Sequence, residues 1–134
     1  MEKQIKEISN IRIEKAKENL SAAKELYKAG YSNFSINRSY YAVFNAIRAV
    51  NALDKFDSSK HSGVISYFNQ NYVKTKIFNA DTSKIIKKSS LLREKSDYED
   101  FYVVTKEDAK ECIDNAEIFI NEVKKYLLEK NIFK

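Results

Sequence analysis

Three short runs of this chain gather arginine, histidine, tyrosine and carboxylate side chains at spacings that could hold an anion. The first is Leu92-Arg93-Glu94-Lys95-Ser96-Asp97-Tyr98-Glu99-Asp100-Phe101-Tyr102. If a helix continues through it, Arg93 and Asp97 stand four apart on one face and can pair. Pairing would orient the guanidinium, whose flat fork of donors suits a phosphate. Ser96 adds a hydroxyl, and Tyr98 adds a ring or a hydroxyl beside it. Tyr98, Phe101 and Tyr102 fall outside the apolar periodicity, where exposed rings could stack on bases. The competing reading is an interhelical salt bridge with Tyr98 as a half-buried packing residue.

The second run, Asn37-Arg38-Ser39-Tyr40-Tyr41-Ala42-Val43-Phe44, sets Arg38 and Tyr41 inside an apolar helix. An arginine there pairs with a carboxylate or snorkels outward. Asp97 and Asp100 are the candidate partners, and such a pair would fix how two helices meet. Alternatively Arg38 joins Arg93 in a two-arginine anion site. The third run, Lys60-His61-Ser62-Gly63, holds the single histidine at a helix start. Helix starts favour anions, and Gly63 would let a ligand approach the backbone. The plainer reading of His61 is a capping or surface residue. No nucleophile elbow and no glycine-rich phosphate loop is present.

The elements that must position these residues are helices. The 134 residues contain no proline and two glycines, so the two strongest helix breakers are nearly missing. No useful stretch alternates with period two. A first helix runs from near the start to Lys28 on Ile13, Ala16, Leu20, Ala23 and Tyr27, with a break expected near Ser9-Asn10 and a stop at Gly30. A second starts at Ser32 or Asn33 and ends near Leu53. Asp54 to Ser59 reads as a polar loop. A short third helix carries Val64, Ile65, Phe68 and Tyr72, and Asn69 to Ala80 reads as a long, partly packed connection. Asp81-Thr82 opens a fourth helix. Thr105 and Asp108 form a capping-box pattern that opens a fifth.

Composition bounds the function class. Hydrophobic content of 43% with 32% charge fits one soluble globular domain. Cys112 sits at helical spacing among apolar residues and reads as core. One cysteine and one histidine argue against a structural zinc site, which needs four ligands; neither metal nor cofactor is expected. The start has no apolar leader pattern and no run is long enough to span a bilayer, so the expectation is a cytoplasmic protein with no membrane partner. Residues 31–98 carry 11 Lys+Arg against 5 Asp+Glu, whereas residues 99–134 carry 6 against 9. The basic excess is central, where the three runs lie, and points to an anionic partner such as RNA or a nucleotide.

Taken in order, the three runs resemble the HEPN family, the higher eukaryote and prokaryote nucleotide-binding domains, in its small stand-alone prokaryotic branch. The resemblance covers about residues 10 to 130. It implies an all-α, up-and-down bundle of four to five helices that forms a homodimer. It also implies pairing, as toxin, with a minimal nucleotidyltransferase antitoxin. In active members an arginine, four to six intervening residues and then a histidine form a metal-independent endoribonuclease site. By that resemblance Arg93, Asp97 and Tyr98 are the candidate catalytic residues. Arg38, Tyr41, His61, Ser96 and Tyr102 are candidates for binding RNA or nucleotide. The reaction would be attack of a ribose 2′-hydroxyl on the adjacent phosphate, with Arg93 stabilising charge and Tyr98 or His61 moving the proton. Tyr98 stands where the family histidine would be, and a phenol with a reference pKa near 10 is a poor base at neutral pH. A non-catalytic binding module, or a helical dimer or adaptor, is therefore the alternative. Family members regulated by the nucleotidyltransferase carry a tyrosine that accepts adenylyl groups; Tyr98 and Tyr102 are the candidates.

Overall fold

The computed structural model describes residues 2–99 and 102–132. Five α-helices account for most of them: α1 (Glu2–Lys28), α2 (Ser32–Asn51), α3 (His61–Phe68), α4 (Asp81–Tyr98) and α5 (Lys106–Glu129). No strand occurs among the described residues, and the architecture is the expected all-α bundle. No described helix is long and apolar enough to cross a membrane.

Helix α2 is the axis of the bundle. Ala42 through Ile47 are all buried, as expected of a helix surrounded by others. It packs on α1, α3, α4 and α5. The main core joins Ile13, Ala16 and Ala23 of α1 to Val43, Ile47 and Val50 of α2 and to Phe119, Val123 and Leu127 of α5. A smaller cluster of Ile36, Leu92, Ala109 and Cys112 sits under the end of α4. Cys112 is core, as its spacing implied, and burial pushes its thiol pKa up to about 12, which leaves it unreactive.

The helix ends follow local chemistry. Gly30 adopts φ +89°, and the Gly30 and Tyr31 N–H groups donate back to Tyr27 and Leu26, a Schellman stop that glycine permits. Thr105 and Asp108 form the expected reciprocal capping box. The break expected at Ser9-Asn10 does not occur. Ser9 is fully buried and its hydroxyl donates to the Ala49 carbonyl of α2 at 2.8 Å, so a residue with weak helix propensity is held by a tertiary bond instead.

The loop after α2 is tightly held. Asp54 accepts from the hydroxyls of Tyr67 and Tyr72, at 3.1 and 2.8 Å; burial, then this carboxylate, raises both phenol pKa values. Phe56 stacks on Tyr67 with centroids 3.9 Å apart. Asp57 pairs with Arg12 and Arg48, at 3.1 and 2.8 Å. A Cβ on Gly63 would lie 2.7 Å from Ser58 Oγ. Gly63 thus makes room for the loop, and its near neighbour is Ser58 rather than open space for a ligand. The connection expected over Asn69 to Ala80 is shorter than read. Asn69–Val73 continues α3 as a wide π turn, because Tyr72 and Phe78 are anchored against Phe68 in the core.

Candidate functional site

The two arginine runs meet. Arg93 is on α4 and its side chain is 13% exposed. Its guanidinium lies over the Tyr40 ring, 4.5 Å from the centroid, and Asp97 sits one helical turn on, 3.7 Å from Nη1. Arg38 of α2 lies over the Tyr41 ring at 5.2 Å. Tyr40 and Tyr41 contact each other edge to face at 5.1 Å. Adjacent tyrosines on α2 therefore carry one guanidinium each, arranged as cation–π pairs.

Arg38 does not pair with Asp97 directly. It donates to Asn19 Oδ1 of α1 at 3.1 Å and to Asn37 Oδ1. The Asn37 amide in turn donates to Asp97 Oδ2 at 3.3 Å. The bridge between α2 and α4 is thus Arg38–Asn37–Asp97. The other candidate partner, Asp100, and Phe101 lie outside the described residues.

His61, the first residue of α3, completes the cluster. Its Nδ1 is 3.0 Å from the Tyr40 hydroxyl. Its ring packs on Phe44 at 4.2 Å and against Tyr41 at 5.8 Å. A phenol hydroxyl can donate to Nδ1 or accept from it, so Tyr40 holds the imidazole in place and leaves Nε2 for another partner. Burial, then the charges of Arg93 and Arg48, hold the His61 pKa below 6.5. The ring is neutral at pH 7. Burial raises the Tyr40 pKa against the pull of Arg93, so the phenol keeps its proton.

Three polar groups here are buried without a hydrogen-bond partner among the described residues: Arg93 Nε, Ser96 Oγ and Ser39 Oγ. Arg93 Nε is enclosed, so an anion would be taken by the Nη groups, of which Nη1 lies 3.7 Å from Asp97. Ser96 follows Arg93 by one turn of α4.

The remaining candidates lie elsewhere. Tyr98 ends α4 and is 73% exposed, and its hydroxyl makes no hydrogen bond to the described residues. Tyr102 packs in the smaller cluster, its hydroxyl donates to Asp108 at 3.3 Å, and Lys95 lies over its ring at 5.6 Å. Burial, then Asp108, raises its pKa. Sequence reasoning did not assign Tyr40 or Asn37 to the site. The doublet Tyr40-Tyr41 beside Arg38 was a usable signal, since a buried tyrosine needs a partner for its hydroxyl.

Comparison with known proteins agrees with this architecture. The HEPN domain model matches residues 9–126. The chain is 33% identical over 122 residues to "Putative toxin MJ0142" of Methanocaldococcus jannaschii, covering 91% of this chain and 83% of that protein. It is 36% identical over 129 residues to "Putative toxin MJ0605" of the same organism, covering 96% of each. A UPF0332 protein of Thermotoga maritima is 33% identical over 113 residues, covering 84% of this chain and 86% of that one. Among solved structures, an archaeal HEPN homologue, ST0689, superposes with a TM-score of 0.63 over 89% of this chain and 97% of that chain at 20% identity, a likeness of fold.

Proposed function

Because this chain belongs to the HEPN domain family, we propose that it binds RNA through Arg93 and Arg38 and cleaves it without metal, as the toxin half of a toxin–antitoxin pair. The observation that carries this reading is the Arg93–Tyr40–His61 cluster. It places a guanidinium and a neutral imidazole on the same tyrosine. Arg93 binds the scissile phosphate and stabilises its added charge. The Nε2 of His61 takes the proton of the attacking 2′-hydroxyl while Nδ1–H rests on Tyr40. The 2′-oxygen bonds to phosphorus as the P–O5′ bond breaks, leaving a 2′,3′-cyclic phosphate, and the departing 5′-oxygen takes a proton from water. His61 takes the role that the sequence left open between it and Tyr98. Tyr41 and Asp97 position the arginines, and Ser96 lies one turn from Arg93.

The test is cleavage of single-stranded RNA in chelator by the wild type and by His61→Gln. A loss of about 100-fold or more is expected for His61→Gln, with binding retained; equal rates would remove His61 from the chemistry. The wild-type rate should fall on the acid side below pH 6.5, where His61 takes a proton. Stability should follow the same sign. The folded pKa is depressed, so the unfolded chain binds the proton more readily. The contribution is complete above 6.5 and declines as pH falls through it. His61→Gln should lack that slope.

A second reading, a binding module without catalysis, draws on the exposure of Tyr98 at the family's histidine position. Its signature is saturable, salt-sensitive RNA binding with no cleavage by the wild type.

The family resemblance supports three further elements: a homodimer, a minimal nucleotidyltransferase partner and a cytoplasmic location. Phe34 is 60% exposed and touches Tyr31, one turn before Arg38, which supports a self-contact on that face of α2. Sedimentation at micromolar concentration should give a dimer for the wild type and a monomer for Phe34→Glu; a monomeric wild type would remove this element. Tyr98 is the more accessible adenylyl acceptor, because the Tyr102 hydroxyl is engaged by Asp108. Incubation with ATP and the partner should add one adenylyl group by intact mass, and Tyr98→Phe should abolish it. Unchanged addition would shift the acceptor elsewhere.

A further inference from the structure

A groove of about 590 Å³ separates α3 and its π turn from α4. At one end it is lined by Ser62 and Glu94, the residues that directly follow His61 and Arg93. Lys74 and Lys87 line it further along. On α4 the lining runs from Ser83 to Glu94, about 16 Å at the helical rise of 1.5 Å per residue. The floor includes Ile65, Ile86 and Leu91, and the rim is hydroxyl and amide groups such as Ser66, Gln70 and Ser90. Leu91 is 49% exposed, an uncovered leucine one helical turn from Lys87.

We propose that this groove seats the nucleoside next to the phosphate held at Arg93, with its base on the Ile65–Leu91 floor and its outer phosphate at Lys74 and Lys87. The inference rests on the reading of Arg93 as a phosphate site. The arrangement matches the alternation of a single strand. Lys74 and Lys87 stand on the groove's lining, Arg93 adjoins its Glu94 end from outside, and an apolar strip lies between them with donors and acceptors along its edges. A base presents apolar faces and a polar rim, so the floor meets one and the serine and amide side chains meet the other. Asn69 Oδ1 already accepts from Ser83 at 3.0 Å, which ties the π turn to α4 across the groove and sets its width. Side chains that read a base edge are present, but no aromatic ring lines the groove. Discrimination between bases should therefore come from hydrogen bonding more than from stacking.

The experiment measures affinity of the full chain for two probes at fixed salt, a fluorescent hexaribonucleotide and inorganic pyrophosphate. Leu91→Ser should weaken the hexanucleotide about fivefold, from roughly 1 kcal/mol of base contact, and leave pyrophosphate unchanged. Lys74→Ala with Lys87→Ala should lower the salt slope of hexanucleotide binding by about 0.7, for the one outer phosphate of a single strand. Arg93→Ala should weaken both probes. If Leu91→Ser and the double lysine variant bind the hexanucleotide like wild type while Arg93→Ala does not, the groove is overturned and the phosphate site stands. If Arg93→Ala also changes nothing, or the wild type binds neither probe, both fail. Equal losses for both probes in Leu91→Ser would mark a disturbed fold and overturn the groove reading, provided the surface lysine variants are also silent.

Discussion

Arg93→Ala should lower metal-free RNA cleavage by about 100- to 1,000-fold, the cost of removing one preorganised donor from a developing anion. Binding should weaken by less, since Arg38 stays on the neighbouring tyrosine. Arg93→Lys separates charge from shape. An ammonium keeps the charge but loses the flat face over Tyr40 and the fork that binds two oxygens. It should therefore recover part of the binding and little of the rate. A third readout comes from His61, whose pKa Arg93 helps to depress. With the guanidinium gone, the acid limb of the pH–rate profile should move to higher pH. Because Arg93 is mostly buried against Tyr40 and Asp97, thermal unfolding of each variant shows whether the fold persists. Equal cleavage by wild type and Arg93→Ala, with an unmoved pH limb, would remove Arg93 from the site.

Phe119→Ala should be the most damaging change to the fold. Phe119 is 1% exposed. It meets Phe68 edge to face at 5.7 Å and Phe78 at 6.4 Å, so one ring joins α5, α3 and the segment before α4. Its removal costs the transfer of the ring plus a cavity that three separate elements cannot close together, about 3–5 kcal/mol. Set against a total of roughly 5–15 kcal/mol, that is a large share. The urea midpoint should fall by about 2 M for a slope near 2 kcal/mol/M. Phe119→Leu, which refills most of the space, should lose less than half as much. A fall under about 0.5 M for Phe119→Ala would show that the core closes around the gap.

Helix positions were legible in this chain because no proline interrupts them and each buried face recurs at helical spacing. The capping box at Thr105 and the stop at Gly30 are local chemistry, visible in four residues. The π turn at Asn69–Val73 was not legible, because Phe68, Tyr72 and Phe78 decide it by where they pack. The site divides in the same way. Arg93 with Asp97 is a four-residue spacing on one helix. His61 with Tyr40 joins residues 21 apart on two helices, and nothing local to either encodes the bond. The spacing along α4 placed Tyr98 beside Arg93 in sequence, whereas at the end of the helix its side chain turns to solvent. Asn37 was overlooked for a similar reason. It serves Arg38 and Asp97 at once, and only the crossing of α2 with α4 brings those two within its reach.

The loop between α2 and α3 has a consequence for how the chain tolerates change. Surface loops usually accept insertions and are where proteases cut first. This one is held by Asp54 on Tyr67 and Tyr72, Phe56 on Tyr67, and Asp57 on Arg12 and Arg48, and it ends at His61. An extra residue there would shift the imidazole out of register with Tyr40 while leaving both helices intact. The exposed turn around Thr75 and Lys76, ahead of the anchored Phe78, is the more forgiving place for a tag or a graft. Length, usually the freest variable in a loop, is in this one as constrained as the identity of a core residue.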